Sequence, residues 1–89
     1  MKIHILISGR VQMVGFRFFT RMHAKKLNLS GFIKNLSNGK VEALFIGKKE
    51  NINKILELCK KGPLFAKVTN IEILKDNPEF DNEEFEVLF

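Results

Sequence analysis

The stretch from residue 8 to residue 17, Ser-Gly-Arg-Val-Gln-Met-Val-Gly-Phe-Arg, holds the residues best suited to chemistry in this chain. Gly9 and Gly15 allow the loop between them to curl without steric penalty, and the first N–H groups of a following helix have no intrahelical partner. These N–H groups, the positive end of the helix dipole and the guanidinium of Arg17 could together bind a small anion such as phosphate. An ordinary strand-to-helix turn with a surface arginine explains the local sequence equally well.

The spacing of this loop does not match two common nucleotide-binding motifs. Five residues separate Gly9 from Gly15, and Phe16-Arg17 follows. A Walker loop has four residues between its glycines and then Lys-Ser or Lys-Thr, so nucleotide hydrolysis is unsupported. A dinucleotide fingerprint needs three glycines and a downstream acidic residue, and neither is present here.

Length and composition predict a single domain over residues 1–89. Of these residues 45% are hydrophobic and nine are Phe, which is enough apolar material for one core. No apolar run approaches the length of a bilayer span, and residues 1–9 are too short and too alternating for a secretory signal. The single Cys59 cannot form an internal disulfide, and its place on an apolar helix face indicates a buried, unreactive thiol. We therefore expect a cytoplasmic protein that does not enter a membrane.

The formal charge of +5 is unevenly distributed. Residues 1–75 contain all 15 Lys and Arg residues and four acidic residues, whereas residues 76–89 contain six acidic residues. The field of the basic part attracts anions, either small substrates or nucleic acid. The charge distribution therefore predicts that a partner is negatively charged and leaves its identity open.

Hydrophobic periodicity predicts five strands and two helices, and two turn signals support their order. The predicted elements are a strand at 2–8, a helix at 16–28, strands at 30–36 and 41–46, a helix at 50–61, a strand at 68–74 and a short closing strand at 85–89. Asn38-Gly39 predicts a tight hairpin between the second and third strands, and Gly62-Pro63 ends the second helix. This order is typical of an α+β, ferredoxin-like sandwich in which two helices cover one face of an antiparallel sheet.

The two histidines have no sequence neighbours that suggest catalysis or metal binding. His4 alternates away from Ile3 and Ile5, so we expect it half-buried on the second face of the sheet. His23 lies beside the apolar arc of the first helix, where a partly buried, hydrogen-bonded ring is expected.

Two stretches resemble the signatures of the acylphosphatase family. The first is Ile-Ser-Gly-Arg-Val-Gln-Met-Val-Gly-Phe-Arg at residues 7–17, and the second is Gly-Phe-Ile-Lys-Asn-Leu-Ser-Asn-Gly-Lys-Val at residues 31–41, closing at Gly47. The similarity continues to the end of the printed sequence. Met13 stands where the family usually has glycine, and Ile33 stands where a smaller residue is usual. If the position of Met13 requires positive φ, its Cβ adds strain of roughly 1–2 kcal/mol.

The resemblance implies hydrolysis of a carboxyl phosphate to carboxylate and inorganic phosphate, with Arg17 and Asn35 as catalytic residues. It places six residues around the phosphate: Gln12, Met13, Val14, Gly15, Phe16 and Arg17. It implies that Asn35 orients the attacking water and that Thr20, one helical turn after Arg17, supports Asn35. Because no carboxylate cluster accompanies the loop, we expect neither a metal nor another cofactor.

The expected partner is a small-molecule acyl phosphate, with inorganic phosphate or sulfate as competing anions and the protein acting as a monomer. One alternative keeps the fold and binds acyl or carbamoyl phosphate without turnover. Another is an RNA-binding ferredoxin-like domain, since such domains share the topology and a basic surface. The first strand has no aromatic residue and the third offers only Phe45, so base stacking on the sheet is disfavoured and nucleic acid is not the expected partner.

Overall fold

Five strands and two helices follow one another in the predicted order. In a computed structural model that describes residues 1–89 they are β1 (Lys2–Arg10), α1 (Phe16–Lys26), β2 (Ser30–Asn35), β3 (Val41–Ile46), α2 (Lys49–Lys61), β4 (Lys67–Leu74) and β5 (Phe85–Leu88). Strand β3 has the predicted bounds, and the other elements differ at their ends by one or two residues. Neither helix has the length and apolar character needed to cross a membrane.

The five strands form one mixed sheet in the order β4-β1-β3-β2-β5. Strands β4, β1, β3 and β2 pair antiparallel, as predicted, but β5 pairs parallel with β2. The prediction of an antiparallel sheet is therefore wrong for its last strand. The cause is the connection at 75–84, which carries the chain from one edge of the sheet to the other instead of turning back in a hairpin.

The core lies between the sheet and the two helices. Alternate residues of β1, including Ile5 and Ile7, point towards Phe16 of α1 and are fully shielded from solvent. The buried positions of the helices are Phe16, Thr20 and Ala24 in α1 and Ile52, Ile55 and Cys59 in α2. This packing fixes the rotation of α1 about its axis, so its inward face is set by burial. As a result, Arg17 lies beside the core and not in it.

The connection at 75–84 crosses the face of the sheet that the helices leave open. The ring of Phe80 packs 5.9 Å from that of Phe32, centroid to centroid. His4 lies on this face, as predicted, and Nδ1–H donates to the carbonyl oxygen of Asp76 (2.8 Å). The connection leaves His4 only 3% exposed, so the side chain is buried and not half-buried.

The β2–β3 hairpin is present, with a turn one residue longer than the minimal form that Asn-Gly pairs favour. The Leu36 N–H donates to the Lys40 carbonyl (2.9 Å), and the Gly39 N–H donates to the Leu36 carbonyl (3.2 Å). Within this turn, Gly39 is the one residue with positive φ (89°), a conformation that glycine adopts without steric cost. This turn directly follows Asn35, the final residue of β2.

Candidate active site

A cavity of about 170 Å³ lies between the loop that follows β1, the first turn of α1 and the end of β2. Its lining residues are Val11, Met13, Gly15, Phe16, Arg17, Phe18 and Asn35. It therefore brings Arg17 and Asn35 to one place although 17 residues lie between them in the sequence. A larger cavity of about 530 Å³ between α1 and α2 is lined by none of the predicted site residues.

The loop that forms one wall of this cavity curls through two left-handed residues. Met13 has φ 62° and Gly15 has φ 78°, so the position of Met13 does require positive φ. The Met13 side chain is fully exposed and gains no packing in return for this conformation. Gly9 belongs to β1 and not to the loop, and glycine is required there because a Cβ would lie 2.0 Å from the Lys67 carbonyl oxygen.

The amino end of α1 leaves hydrogen-bond donors free at the cavity. Gly15 is the N-cap and supplies no side-chain cap. The first intrahelical bond runs from the Phe19 N–H to the Gly15 carbonyl (3.0 Å), so the N–H groups of Phe16, Arg17 and Phe18 have no helical acceptor. All three residues line the cavity. Together with the helix dipole, these N–H groups could bind an anion.

Arg17 is held by β5 and by the residue that follows it. Its Nη1 donates to the Leu88 carbonyl oxygen (3.1 Å), and its guanidinium carbon lies 4.8 Å from the centre of the Phe89 ring. No carboxylate of the chain pairs with Arg17. The guanidinium is therefore oriented while its charge stays uncompensated, as binding of an anion requires.

Asn35 also lines this cavity and has an unsatisfied acceptor. Its Oδ1 is buried and accepts no hydrogen bond from the protein. A buried acceptor without a partner costs about 1–3 kcal/mol, so such atoms are usually satisfied by water or a ligand. Asn35 therefore lines the cavity and has a carboxamide oxygen that no other protein group uses.

No hydrogen bond joins Thr20 to Asn35, so the support of Asn35 by Thr20 stays a prediction. Thr20 is fully buried on the inward face of α1, where its hydroxyl lies 4.0 Å from the sulfur of Cys59. Burial raises the pKa of the Cys59 thiol to about 12, partly offset by the hydrogen bond with Thr20. Thr20 and Cys59 therefore belong to the contact between the two helices, and Cys59 is the buried thiol that the sequence predicts.

Gln12 has a role that the sequence did not reveal. It does not line the cavity, and neither does Val14, whose side chain packs against the core. The Gln12 Nε2 donates to the Leu36 carbonyl (2.7 Å) and to the Lys40 carbonyl (2.9 Å). One side chain therefore joins the curled loop to the turn that follows Asn35. No spacing rule identifies such a contact, because it depends on how the hairpin packs beside the loop.

The histidines lie outside this site. The His23 ring packs edge-on against Phe19 with ring centres 4.6 Å apart and makes no hydrogen bond to the protein, so the hydrogen-bonded ring that we predicted is wrong. The chain contains no group of three His, Cys, Asp or Glu side chains arranged to hold a metal ion. The cavity thus combines one guanidinium, main-chain N–H groups and a carboxamide.

Comparison with known proteins gives one consistent result. The family model described as Acylphosphatase matches residues 3–87. The acylphosphatase of Archaeoglobus fulgidus is 41% identical over 88 residues, which cover 98% of this chain and 97% of that protein. The crystal structure of acylphosphatase from Bacillus subtilis superposes with a TM-score of 0.91 at 35% identity, covering 99% of this chain and 98% of the other. The structure of T. kodakarensis HypF matches all of this chain with a TM-score of 0.85 at 36% identity, but only 12% of its own length.

The Gln12 contact predicts that this side chain sets the separation between Arg17 and Asn35. Gln12→Met keeps the length of the side chain and removes both donors, so the hairpin is no longer fixed to the loop. We expect turnover of acetyl phosphate to fall on the order of 10-fold to 100-fold, because small misplacements of a reacting group are costly. The measurement is phosphate release at saturating substrate.

Ser37→Ala provides the matched control for Gln12→Met. Ser37 is an exposed residue of the same turn and makes no side-chain hydrogen bond, so this variant keeps the turnover of the unmodified protein. Equal turnover in Gln12→Met and Ser37→Ala would show that the Gln12 bonds do not position the site.

Proposed function

The chain belongs to the acylphosphatase family, and we propose that it hydrolyses the carboxyl–phosphate bond of acyl phosphates in the cavity that holds Arg17 and Asn35. One observation carries the proposal. The residues that line one cavity of about 170 Å³ include Arg17 with its uncompensated guanidinium, Phe16 and Phe18 at the free amino end of α1, and Asn35 with its unsatisfied carboxamide oxygen. The first two kinds of group suit a phosphoryl group, and the third suits a water molecule.

The phosphoryl group is bound by main-chain donors and by Arg17. The N–H groups of Phe16, Arg17 and Phe18 and the planar guanidinium donate to its non-bridging oxygens. Charge on these oxygens is spread during transfer, so donors already oriented towards them lower the barrier. The Leu88 carbonyl keeps one Nη of Arg17 in place, which reduces the reorganisation needed when substrate binds.

The attacking water is bound by Asn35. Its Oδ1 accepts one O–H of the water and so directs a lone pair of the water oxygen at phosphorus. A carboxamide is too weak a base to remove the proton, so the proton passes to a phosphoryl oxygen. The water oxygen forms the new bond to phosphorus as the bond from phosphorus to the acyl oxygen breaks.

The leaving group requires no acid. It departs as a carboxylate whose conjugate acid has a pKa of about 4, so it is stable without protonation at neutral pH. Because no acid is needed, the location of both histidines outside the cavity agrees with this mechanism. The products are one carboxylate and inorganic phosphate, which itself fits the anion site and competes with substrate, as does sulfate.

We further propose that the enzyme acts as a monomer in the cytoplasm. The anion site is complete within one chain, since its donors come from α1, β2 and the loop after β1. A buried free cysteine is compatible with a reducing compartment.

A phosphate-binding module without turnover is the second candidate, and the match to T. kodakarensis HypF favours it, because there this fold is a small part of a longer protein. Phosphate release from acetyl or carbamoyl phosphate separates the two candidates. RNA binding has less support. The sheet face that such domains use is crossed here by the connection at 75–84, where five of the chain's ten acidic residues lie.

Metal independence is part of the proposal and predicts full activity in a chelator. The anion is neutralised by Arg17 and N–H groups, so a divalent ion is not needed to offset its charge. Phosphate release from acetyl phosphate should be the same in EDTA as in buffer containing Mg²⁺. Activity lost in EDTA and restored by a divalent metal would overturn this part of the mechanism.

Arg17→Lys keeps the charge at the cavity and removes the planar fork. We expect kcat/KM for acetyl phosphate to fall on the order of 10²-fold or more, by analogy with the loss of an oxyanion donor. Arg21→Lys is the matched control, because Arg21 is an exposed arginine one turn further along α1 and does not line the cavity. Unchanged kinetics in Arg17→Lys would remove this residue from the site.

Asn35→Ala removes the group that orients the water and leaves the phosphate donors in place. We therefore expect kcat to fall on the order of 10²-fold while the inhibition constant of inorganic phosphate changes by less than about threefold. Steady-state kinetics with phosphate as inhibitor measure both quantities. A parallel loss of phosphate affinity would mean that Asn35 binds the anion and not the water.

A further inference from the structure

Three of the eight large apolar side chains that the protein exposes surround Arg17. Met13 is 100% exposed and Phe18 is 66% exposed, and both residues line the cavity. Phe89 is 97% exposed, and its ring contacts the guanidinium. We refer to Met13, Phe18 and Phe89 as the apolar rim.

The phosphoryl group gives no reason for this apolar rim. Its oxygens are bound by N–H groups and by Arg17, and apolar carbon does not stabilise a dianion. The fold gives no reason for Met13 either, because the side chain buries no surface and its backbone is in the strained left-handed region. Exposed apolar groups gathered at one site usually mark contact with a ligand.

The size of the cavity determines where the rest of the substrate goes. Cavities that enclose a ligand usually have volumes of about 300–1,000 Å³. At about 170 Å³ this cavity has room for a phosphoryl group and a water molecule and little space beyond them. In an in-line attack the acyl oxygen points away from the water. The acyl group therefore extends out of the cavity and across the residues at its mouth.

We propose that the apolar rim contacts the acyl group and makes acyl phosphates with a sizeable apolar acyl group, aromatic or long aliphatic, the preferred substrate class over acetyl and carbamoyl phosphate. This inference rests on the proposed hydrolysis. The unbranched, flexible side chain of Met13 can adapt to acyl groups of different shape. Each contact lies at the surface, so its effect is modest, about three- to tenfold in relative kcat/KM.

The test compares two substrates across four variants. Release of inorganic phosphate is measured with benzoyl phosphate and with acetyl phosphate, and the two kcat/KM values give one ratio for each protein. The two substrates differ in intrinsic reactivity, but this difference is the same for every variant and so does not affect the comparison of ratios. Met13→Asn replaces an apolar side chain with a polar one, and asparagine tolerates the left-handed backbone at this position. Phe18→Gln makes the same change from apolar to polar on the surface of α1, where glutamine is a good helix former. The controls are Met22→Gln and Leu64→Gln, which change exposed apolar residues away from the cavity.

We expect the benzoyl-to-acetyl ratio to fall about three- to tenfold in Met13→Asn and in Phe18→Gln and to stay constant in both controls. A ratio that is the same in all five proteins would overturn the inference and leave the proposed hydrolysis intact. A ratio that falls equally in the controls would overturn it as well, since the effect would not belong to the apolar rim. If the unmodified protein releases phosphate from neither substrate, the proposed function itself is wrong.

Discussion

The uncapped amino end of α1 is the feature on which the site depends. A Ser, Thr, Asp or Asn at the N-cap stabilises a helix by about 1 kcal/mol by accepting one of its free N–H groups. Gly15 has no side chain with which to do so, and the donors remain available to a ligand. The acceptor of Asn35 is left unsatisfied in the same cavity. In the proposed mechanism the chemistry therefore comes from unfilled hydrogen-bonding capacity and one fixed charge, and not from groups that titrate near neutral pH.

The fold holds these groups together through three separate contacts. Burial of Phe16 orients the first turn of α1, the Leu88 carbonyl fixes Arg17, and the Gln12 side chain connects the loop to the turn after Asn35. The three contacts involve segments distant in the sequence. The cavity therefore depends on the β2–β3 turn, the first helix and the last strand.

The local pattern of hydrophobic residues predicted most of the fold, because their alternation in strands and their spacing in helices follow directly from which side chains are buried. It placed Arg17 and Asn35 correctly at the ends of their elements. It could not predict that β5 pairs parallel with β2, since that pairing depends on a connection with no periodicity. The resemblance linked Thr20 to Asn35, whereas the packing of α1 against α2 places the Thr20 hydroxyl near Cys59. The contacts of Gln12 and Leu88 could not be predicted from the sequence either, because each joins segments that only the folded chain brings together.

Strand β5 has four residues and lies at an edge of the sheet, yet it supplies the carbonyl that fixes Arg17. Fraying of a short edge strand requires less free energy than unfolding the whole domain. Each such opening frees the guanidinium while the core stays packed. In the proposed mechanism, the fraction of molecules with Arg17 in place therefore depends on a local equilibrium at this edge of the sheet and not on global unfolding alone.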